Sequence, residues 1–248
     1  SLLGFSAGLP LLLIFSTLSV WLVKAGVERS TITLFSWAGF AYSFKFLWTP
    51  IVDHYRLPLL SKIGHRKSWL LLSQILIIIS IFITSYSDPS KNLLYTAIGI
   101  VLIAFSSATQ DIVIDAFRIE SEPIQKQGAL SSMYLAGYRI AMIVSGAGSL
   151  WLASYFGVDV YNANTWKKVY QIMGCLMLIG VVTTLFSKEP TVHKVKNKKT
   201  SNSIKFLMSL IVAIAIFFVT YNLIPKIFTN ESIFLNSLDA LLRIGVSF

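Results

Sequence analysis

The sequence predicts an all-α polytopic membrane protein, and three observations lead to this fold class. Hydrophobic residues make up 55% of the 248 residues and charged residues only 13%, whereas soluble domains carry roughly 25% charged residues. The apolar residues are grouped in runs long enough to cross a bilayer. Lysine and arginine occur mainly in the short segments between these runs, which is the pattern that membrane topology produces.

The composition also argues against several functional classes. The net charge is +10, but the basic residues do not form the single stripe that nucleic-acid binding requires, so no nucleic-acid partner is predicted. Cys175 is the only cysteine, and the three histidines, His54, His65 and His193, fall in polar segments. We therefore predict no disulfide framework, no metal site and no cofactor.

The apolar runs are the candidate membrane-spanning helices, because crossing about 30 Å of hydrocarbon takes roughly 20 apolar residues. The first run starts without a preceding basic region, which favours a spanning helix over a cleavable signal. The second ends before Asp53, and the fourth ends before Arg118. Since the chain starts at Ser1 and not at Met, we interpret it as a fragment whose natural start lies upstream. Six spans are predicted: Leu2–Val23, Thr31–Val52, Trp69–Tyr86, Leu93–Phe117, Gly128–Phe156 and Val169–Phe186.

A lysine-rich stretch after the sixth run divides the chain. We predict a six-helix transmembrane half over 1–187, a basic cytoplasmic linker over 188–203, and the incomplete start of the following helices over 204–248. The last part would hold one further span, Ile204–Ile224, and the truncated start of another, Ile233–Phe248. This order of six helices, a basic linker and further helices is typical of transporters that are built from two six-helix halves.

The distribution of basic residues predicts the orientation, because cytoplasmic loops are enriched in lysine and arginine. The first, third and fifth connections hold five of them: Lys24, Arg29, Lys91, Lys167 and Lys168. The second, fourth and sixth connections hold twelve: Arg56, Lys62, Arg66, Lys67, Arg118, Lys126, Lys188, Lys194, Lys196, Lys198, Lys199 and Lys205. The N-terminus is therefore predicted to be cytoplasmic.

Four charged residues within predicted spans are candidate functional residues, because charge in a bilayer is costly unless it is paired or faces an aqueous cavity. They are Lys45, Asp111, Asp115 and Arg139. Asp111 and Asp115 share one helix face with Arg118, and Gln110 lies beside them. The hypothesis is that Asp111 faces a central cavity and forms a charge network with Lys45 or Arg139. Its carboxylate would take up a proton or release a cationic partner during transport.

Other interpretations of these charges stay open. Arg139, next to Tyr138, suits an anionic substrate, because a guanidinium binds carboxylate or phosphate through two hydrogen bonds. It could equally form a permanent ion pair with Asp111. Asp115 and Arg118 could be interfacial, and Lys45 could extend to the membrane surface.

Small residues are a further feature of two spans. Gly4 and Gly8 precede Pro10 in the first span, and Ser145, Gly146, Gly148 and Ser149 lie in the fifth. Small residues let helix backbones approach closely, so we interpret both groups as packing devices.

Four blocks of sequence together resemble one family. They are GFSAGLPLLLIFSTLSVWL (Gly4–Leu22), FSWAGFAYSFKFLWTPIVD (Phe35–Asp53), SSATQDIVIDAFR (Ser106–Arg118) and MYLAGYRIAMIVSG (Met133–Gly146). In this order they resemble the AmpG-type muropeptide permeases of the major facilitator superfamily, with the resemblance reaching to about residue 187. The chain is accordingly similar to the six-helix N-terminal half of such a transporter.

The resemblance implies a function and partners. It implies proton-driven import of anhydromuropeptides, which are anionic cell-wall turnover products, across the bacterial inner membrane. The cavity would involve Gln110, Asp111, Arg139, Tyr138 and Lys45, and it would need the C-terminal half of the transporter, which this chain lacks.

The resemblance also implies a conformational latch in the loop after the second span. The superfamily's loop signature is matched by Asp53 at one end and by Gly64, Arg66 and Lys67 at the other. Thr49 replaces its leading glycine, and additional residues separate the two ends. Arg66 is implied to be the charge partner of Asp53.

Three alternatives to a muropeptide transporter differ in what they require of the sequence. An intramembrane aspartyl protease needs two aspartates on different helices, whereas Asp111 and Asp115 share one, so an enzyme is not predicted. The same scaffold could carry another anionic solute, such as a peptide, a nucleotide or an acyl-CoA. The chain could also be a truncated product that does not transport.

Overall fold

The computed structural model of the chain describes residues 1–58, 63–157 and 161–190. These residues form helices and no strand, which confirms the all-α prediction. The predicted spans Ile204–Ile224 and Ile233–Phe248 lie outside the described residues, as does most of the 188–203 linker. The α-helices are α1 (Leu2–Ile14), α2 (Ser16–Lys24), α3 (Arg29–Leu34), α4 (Phe40–Ser43), α5 (Thr49–His54), α6 (His65–Ser85), α7 (Leu93–Ser121), α8 (Gln127–Ile143), α9 (Ser149–Phe156), α10 (Ala163–Leu176) and α11 (Leu178–Phe186).

Five helical stretches among the described residues are long and apolar enough to cross a membrane. They correspond to the predicted first, third, fourth, fifth and sixth spans, with ends that differ by a few residues. The stretches are Leu2–Lys24, His65–Ser85, Leu93–Ser121, Ile124–Phe156 and Ala163–Phe186.

The second predicted span, Thr31–Val52, is not one continuous helix, so that prediction was wrong in detail. The chain there runs through α3, α4 and α5, which are separated by the 3₁₀ segments Phe35–Gly39 and Lys45–Leu47. Pro50 lies in the first turn of α5. Proline has no backbone N–H, and its ring clashes with the carbonyl four residues earlier, which is that of Phe46. This accounts for the 3₁₀ segment Lys45–Leu47 directly before α5.

The long helices form a bundle with two ends. We call one the Arg66 end, where Asp53, Arg66 and Glu120 meet. The other is the Tyr161 end, where Tyr161 contacts Trp21 and Asp88. Helices α6 and α7 run antiparallel between these ends, since Thr84 near the end of α6 lies against Gly99 near the start of α7.

Helices α1 and α8 run parallel at very close range. A Cβ atom placed on Gly4 would meet the backbone carbonyl of Tyr134, and one on Gly8 would meet that of Tyr138. The predicted packing role of these glycines is therefore what the structure shows: only hydrogen fits between the two backbones.

The fifth span contains a π-helical segment, Val144–Gly148, between α8 and α9. The Thr17 hydroxyl of α2 donates a hydrogen bond to the Ser145 carbonyl at 2.8 Å and lies 2.9 Å from Ser149 Oγ. Because the Ser145 carbonyl accepts this hydrogen bond from α2, it does not need the usual backbone N–H four residues later in its own helix. The helix can therefore widen locally into a π-helical turn.

The apolar core lies between α1, α2, α6, α7 and α10. Trp21 is fully buried, and its ring stacks on Trp166 at 5.8 Å and packs against Tyr170 at 4.9 Å between centroids. The Tyr170 hydroxyl donates to the Leu13 carbonyl at 2.9 Å. This core fixes the helices whose polar residues form the candidate site.

Candidate functional site

Asp111 lies on α7 and carries a buried carboxylate oxygen. Its Oδ1 atom has no hydrogen-bond partner among the described residues. Helical spacing puts Ser107 one turn before it and Asp115 one turn after it, on the same face. A buried, unpaired carboxylate oxygen is costly in an apolar environment, so it marks a place where a proton, a cation or a substrate group can bind.

Hydroxyl groups surround this carboxylate. The Tyr42 hydroxyl and Ser107 Oγ are also buried, and these two groups interact with each other. Tyr42, Tyr134 and Tyr138 all lie close enough to Asp111 to interact with it electrostatically. The sequence patterns pointed to Tyr138 but not to Tyr42, Ser107 or Tyr134, because those groups carry no charge.

Lys45 is the cation that acts on Asp111. The two interact electrostatically, although they do not form one of the ion pairs within 4.0 Å that occur among the described residues. Lys45 lies in a 3₁₀ segment of the broken second span. Of the two candidate cations, the structure therefore brings Lys45, and not Arg139, to Asp111.

Arg139 occupies a different position. Its side chain is exposed on α8, and its Nη1 atom lies 3.9 Å from Met142 Sδ. It interacts electrostatically with Tyr138. A permanent ion pair with Asp111 is not present, so the guanidinium is available to an anionic group.

Gln110 faces the interior of the bundle and not the exposed face of α8. It is fully buried, and its Nε2 atom donates to Ser6 Oγ of α1 at 3.0 Å. Asp115 and Arg118 pair with each other at 3.3 Å and are half-exposed, and the Arg118 guanidinium lies over the Tyr134 ring at 5.3 Å. The interfacial interpretation of Asp115 fits this geometry better than a place beside Asp111 in the cavity.

The Arg66 end holds a three-residue charge cluster. Arg66 Nη1 lies 2.7 Å from Asp53 Oδ1, and its Nη2 and Nε atoms contact the Glu120 carboxylate at 2.6 to 3.2 Å. The Arg66 side chain is only 11% exposed. The structure thus brings the two ends of the loop signature together, with Glu120 of α7 as an additional partner.

A third acidic residue, Glu189, caps α6 at the same end. Glu189 accepts hydrogen bonds from the backbone N–H groups of Arg66 at 2.8 Å and Lys67 at 3.1 Å. A carboxylate at this position satisfies donors that a helix start leaves unpaired and complements its dipole. Gly64 has φ +120°, and a Cβ atom there would collide with Glu189, so the signature glycine is required for the cap.

Lys67 joins the same end through its side chain. Its Nζ atom donates to the Leu185 carbonyl at the end of α11 at 3.1 Å. Glu120 and Glu189 were not identified from the sequence. One feature of the sequence could have indicated them. Glu120 lies shortly after the end of the predicted fourth span and Glu189 shortly after the end of the predicted sixth span, both in connections that are rich in basic residues.

The Tyr161 end holds a hydrogen-bond network around the Asp88 carboxylate. The Tyr161 hydroxyl donates to Asp88 Oδ1 at 2.9 Å and accepts from Trp21 Nε1 at 3.3 Å. Burial raises the pKa of Tyr161 to about 12, and the Asp88 carboxylate acts in the same direction. The pKa of Asp88 is lowered: burial raises it, but hydrogen bonds from Ser90 and Tyr161 outweigh burial.

Removing the Tyr161 hydroxyl should destabilise the bundle modestly. We expect Tyr161→Phe to lower the free energy of unfolding by about 1 kcal/mol, because two hydrogen bonds at a half-buried site are lost. Thermal unfolding of purified protein measures this, with Tyr155→Phe, a ring that is 71% exposed, as the matched control. Since the folded-state pKa is raised above the usual 10, the stabilisation is complete at neutral pH and is lost between about pH 10 and 12. Equal stability of the two variants would contradict this assignment.

Comparison with known proteins identifies the class to which this bundle belongs. The family model of the Major Facilitator Superfamily matches residues 1–246. The chain belongs to this superfamily of multi-pass membrane transporters, which is not a family of enzymes.

Individual proteins of known name are also similar to this chain. The "Anhydromuropeptide permease" of Escherichia coli (strain K12) is 39% identical over 191 residues, which cover 77% of this chain and 37% of the permease. The "Putative transporter AmpG 4" of Rickettsia felis is 36% identical over 200 residues, covering 81% of this chain and 47% of that protein. The resemblance found in the four sequence blocks is thereby confirmed. The chain spans less than half the length of these curated relatives.

Proposed function

We propose that the protein is a secondary transporter of the bacterial inner membrane that imports anhydromuropeptides, driven by protons, by alternating access. The observation that carries this is the 39% identity to a protein named as an anhydromuropeptide permease, together with the buried, unpaired Asp111 carboxylate. In this architecture the substrate cavity lies between two halves. The C-terminal half of the same transporter is accordingly a required partner, and the lipid bilayer is the solvent for the outer faces.

In the proposed cycle Asp111 binds and releases the proton. When deprotonated, it interacts with Lys45; when protonated, it becomes a hydrogen-bond donor for the neighbouring hydroxyl groups. Arg139, which is exposed and has no acidic partner among the described residues, binds a carboxylate of the substrate. The change of charge on Asp111 alters the local interaction between α7 and the broken second span.

The Arg66 cluster is the proposed latch. With the N-terminus in the cytoplasm, as the basic residues predict, the Arg66 end faces the cytoplasm. The ion pairs to Asp53 and Glu120 then hold the second span, α6 and α7 together in one conformation of the cycle.

The experiment that tests the function is uptake of labelled anhydromuropeptide by a permease-deficient bacterium that expresses the full-length gene, with and without an uncoupler. Uptake that the uncoupler abolishes is the expected result. Absence of uptake by protein shown to be inserted in the membrane would contradict the substrate assignment. An excess of unlabelled peptide, nucleotide or acyl-CoA would reveal another anionic substrate by competition.

Asp111→Asn tests the coupling residue. We expect this variant to reduce accumulation to the level seen with the uncoupler, because an amide has the size of the carboxylate but cannot be deprotonated. Asp115→Asn is the matched control on the same helix face, and it should transport nearly as well as the wild type because Asp115 is half-exposed and already paired. Uncoupler-sensitive uptake by Asp111→Asn would refute the proton assignment.

A further inference from the structure

An apolar groove with a volume of about 200 Å³ lies near the Arg66 end of the bundle. The broken second span, α6 and α7 all contribute to its lining. The side chains on which the argument depends are Trp48, Ile51, Trp69, Leu76, Phe105 and Thr109. Ile51, Leu76 and Phe105 are exposed, so the groove is open at the surface of the bundle.

The groove offers little to water. Thr109 Oγ1 donates a hydrogen bond to the Phe105 carbonyl at 2.8 Å and accepts one from Trp48 Nε1 at 3.1 Å. Ser73 Oγ donates to the Leu70 carbonyl at 2.9 Å. These hydroxyl groups are therefore satisfied within the protein, and most of the other lining side chains are aromatic or aliphatic. Since an apolar cavity does not hold water well, the groove suits an apolar ligand.

The groove starts at the level of the membrane surface and extends into the membrane. Trp69 follows Arg66 by three residues, and its Nε1 atom donates to the Tyr55 carbonyl at 2.8 Å. Tryptophan and tyrosine in such positions are typical of the membrane–water interface. From Trp69 to Leu76 the groove runs along α6 for about 10 Å. At about 30 Å³ for a water-sized group, its volume takes about seven such groups, which corresponds to part of one acyl chain.

A cation lies at the surface end of the groove. Arg56 directly follows Tyr55, the residue whose carbonyl is bonded to Trp69. Its side chain is exposed, and it takes part in none of the ion pairs within 4.0 Å among the described residues. A basic side chain at this level attracts the phosphate of an anionic lipid, which strengthens binding about fivefold for each residue.

The groove is separate from the candidate transport site. Thr109 and Asp111 are two residues apart on α7, so their side chains point in directions that differ by about 200° around the helix. Phe105 lies on the same face as Thr109, and Ser107 on the same face as Asp111. Helix α7 therefore separates the groove from the Asp111 carboxylate.

We propose that this groove binds one anionic glycerophospholipid from the leaflet at the Arg66 end. One acyl chain lies in the groove against Trp48, Trp69 and Phe105, and the phosphate group binds Arg56. The bound chain fills the space between α5 and α6, two helices that both pack on α7. This inference requires a protein that spans the membrane, but it does not depend on the identity of the substrate.

Labelling with photoactivatable lipids tests the proposal. Full-length protein is reconstituted in phosphatidylcholine vesicles that contain either phosphatidylglycerol or phosphatidylcholine with a photoactivatable acyl chain, and labelled residues are mapped by mass spectrometry. We expect phosphatidylglycerol to label Trp69, Leu72 and Phe105 about five times more than phosphatidylcholine does. Ile83, which is exposed on α6 outside the groove, should be labelled equally by both. Equal labelling of the groove by the two lipids, or none, would overturn the proposal.

Two variants separate the contribution of the head group from that of the acyl chain. Arg56→Gln should abolish the excess labelling by phosphatidylglycerol and leave the labelling by phosphatidylcholine unchanged. Lys126→Gln is the matched control, because Lys126 lies at the same end of the bundle but is paired with Glu122 at 3.1 Å. An excess that survives Arg56→Gln would contradict the assignment of the phosphate group.

Leu72→Trp tests the position of the acyl chain. Leu72 lines the groove, so the larger side chain should fill it and reduce the labelling of the other groove residues by both lipids. Ile79→Trp is the matched control, because Ile79 lies two turns further along the same face of α6, is exposed and does not line the groove. Labelling that is the same in the two tryptophan variants would show that no acyl chain occupies the groove.

Discussion

Gly8→Ala should strongly reduce the yield of folded protein although it adds a single methyl group. The added Cβ atom would lie 3.0 Å from both the carbonyl carbon and the Cα atom of Tyr138, and closer still to the carbonyl oxygen. These are backbone atoms of α8, so no side chain can move aside, and α1 and α8 must separate. We expect a loss of about 3 kcal/mol, at the upper end of what overpacking costs.

The measurement is the fraction of detergent-solubilised protein that remains monodisperse, followed by thermal unfolding. Gly128→Ala is the matched control on α8, and it should be neutral or slightly stabilising because alanine restricts the unfolded chain. A Gly8→Ala variant that behaves like Gly128→Ala would show that the two helices do not pack as closely as described.

Arg66→Lys should weaken the bundle even though it keeps the positive charge. The Arg66 guanidinium contacts Asp53 and both oxygens of Glu120 at once. An ammonium group cannot reproduce this two-sided geometry, so at least one carboxylate loses its partner. Because Arg66 is 11% exposed while its partners are 37% and 24% exposed, we expect a loss between ~1 and ~3 kcal/mol.

Thermal unfolding at low and high salt measures this effect. Arg118→Lys is the matched control, because Arg118 forms one ion pair, with the partly exposed Asp115, and an ammonium group can also lie over the Tyr134 ring. This variant should change stability by less than ~1 kcal/mol. The same loss for both variants would mean that the Arg66 cluster is no stronger than an ordinary surface ion pair. Glu120→Gln should reproduce part of the Arg66→Lys effect.

Most of the fold could be predicted from hydropathy. A spanning helix needs about 20 consecutive apolar residues, and few other structural elements contain apolar runs of that length. The broken second span could not be predicted in this way. Its residues are still mainly apolar, but Pro50 and the two 3₁₀ segments change the backbone geometry in a way that hydropathy does not report. A window that averages hydrophobicity over about 20 residues is insensitive to such breaks.

The site was predictable only in part, for a related reason. Asp111 and Lys45 stand out because charge within a span is rare. Gln110 and Arg139 are harder to place, since which face of a helix points inward depends on packing: Gln110 is fully buried against Ser6, and Arg139 is exposed. Glu120 and Glu189 reach Arg66 across 54 and 123 residues, a separation at which spacing along one helix carries no information.

The parallel pairing of the first and fifth spans has a consequence for biosynthesis. The hydroxyl of Thr17 bonds to Ser145 across 128 residues, and that of Tyr170 reaches Leu13 across 157. At synthesis rates of about 5–20 residues per second, α1 and α2 therefore wait on the order of ten seconds before their partners leave the ribosome. The glycine face of α1 is uncovered throughout this interval. Helices α6 and α7, by contrast, are neighbours in sequence and can pair as soon as α7 is made. Helix α1 is thus made before α6 to α11 but is among the last of these helices to be fully enclosed, so its temporary protection by lipid or by the insertion machinery matters most among them.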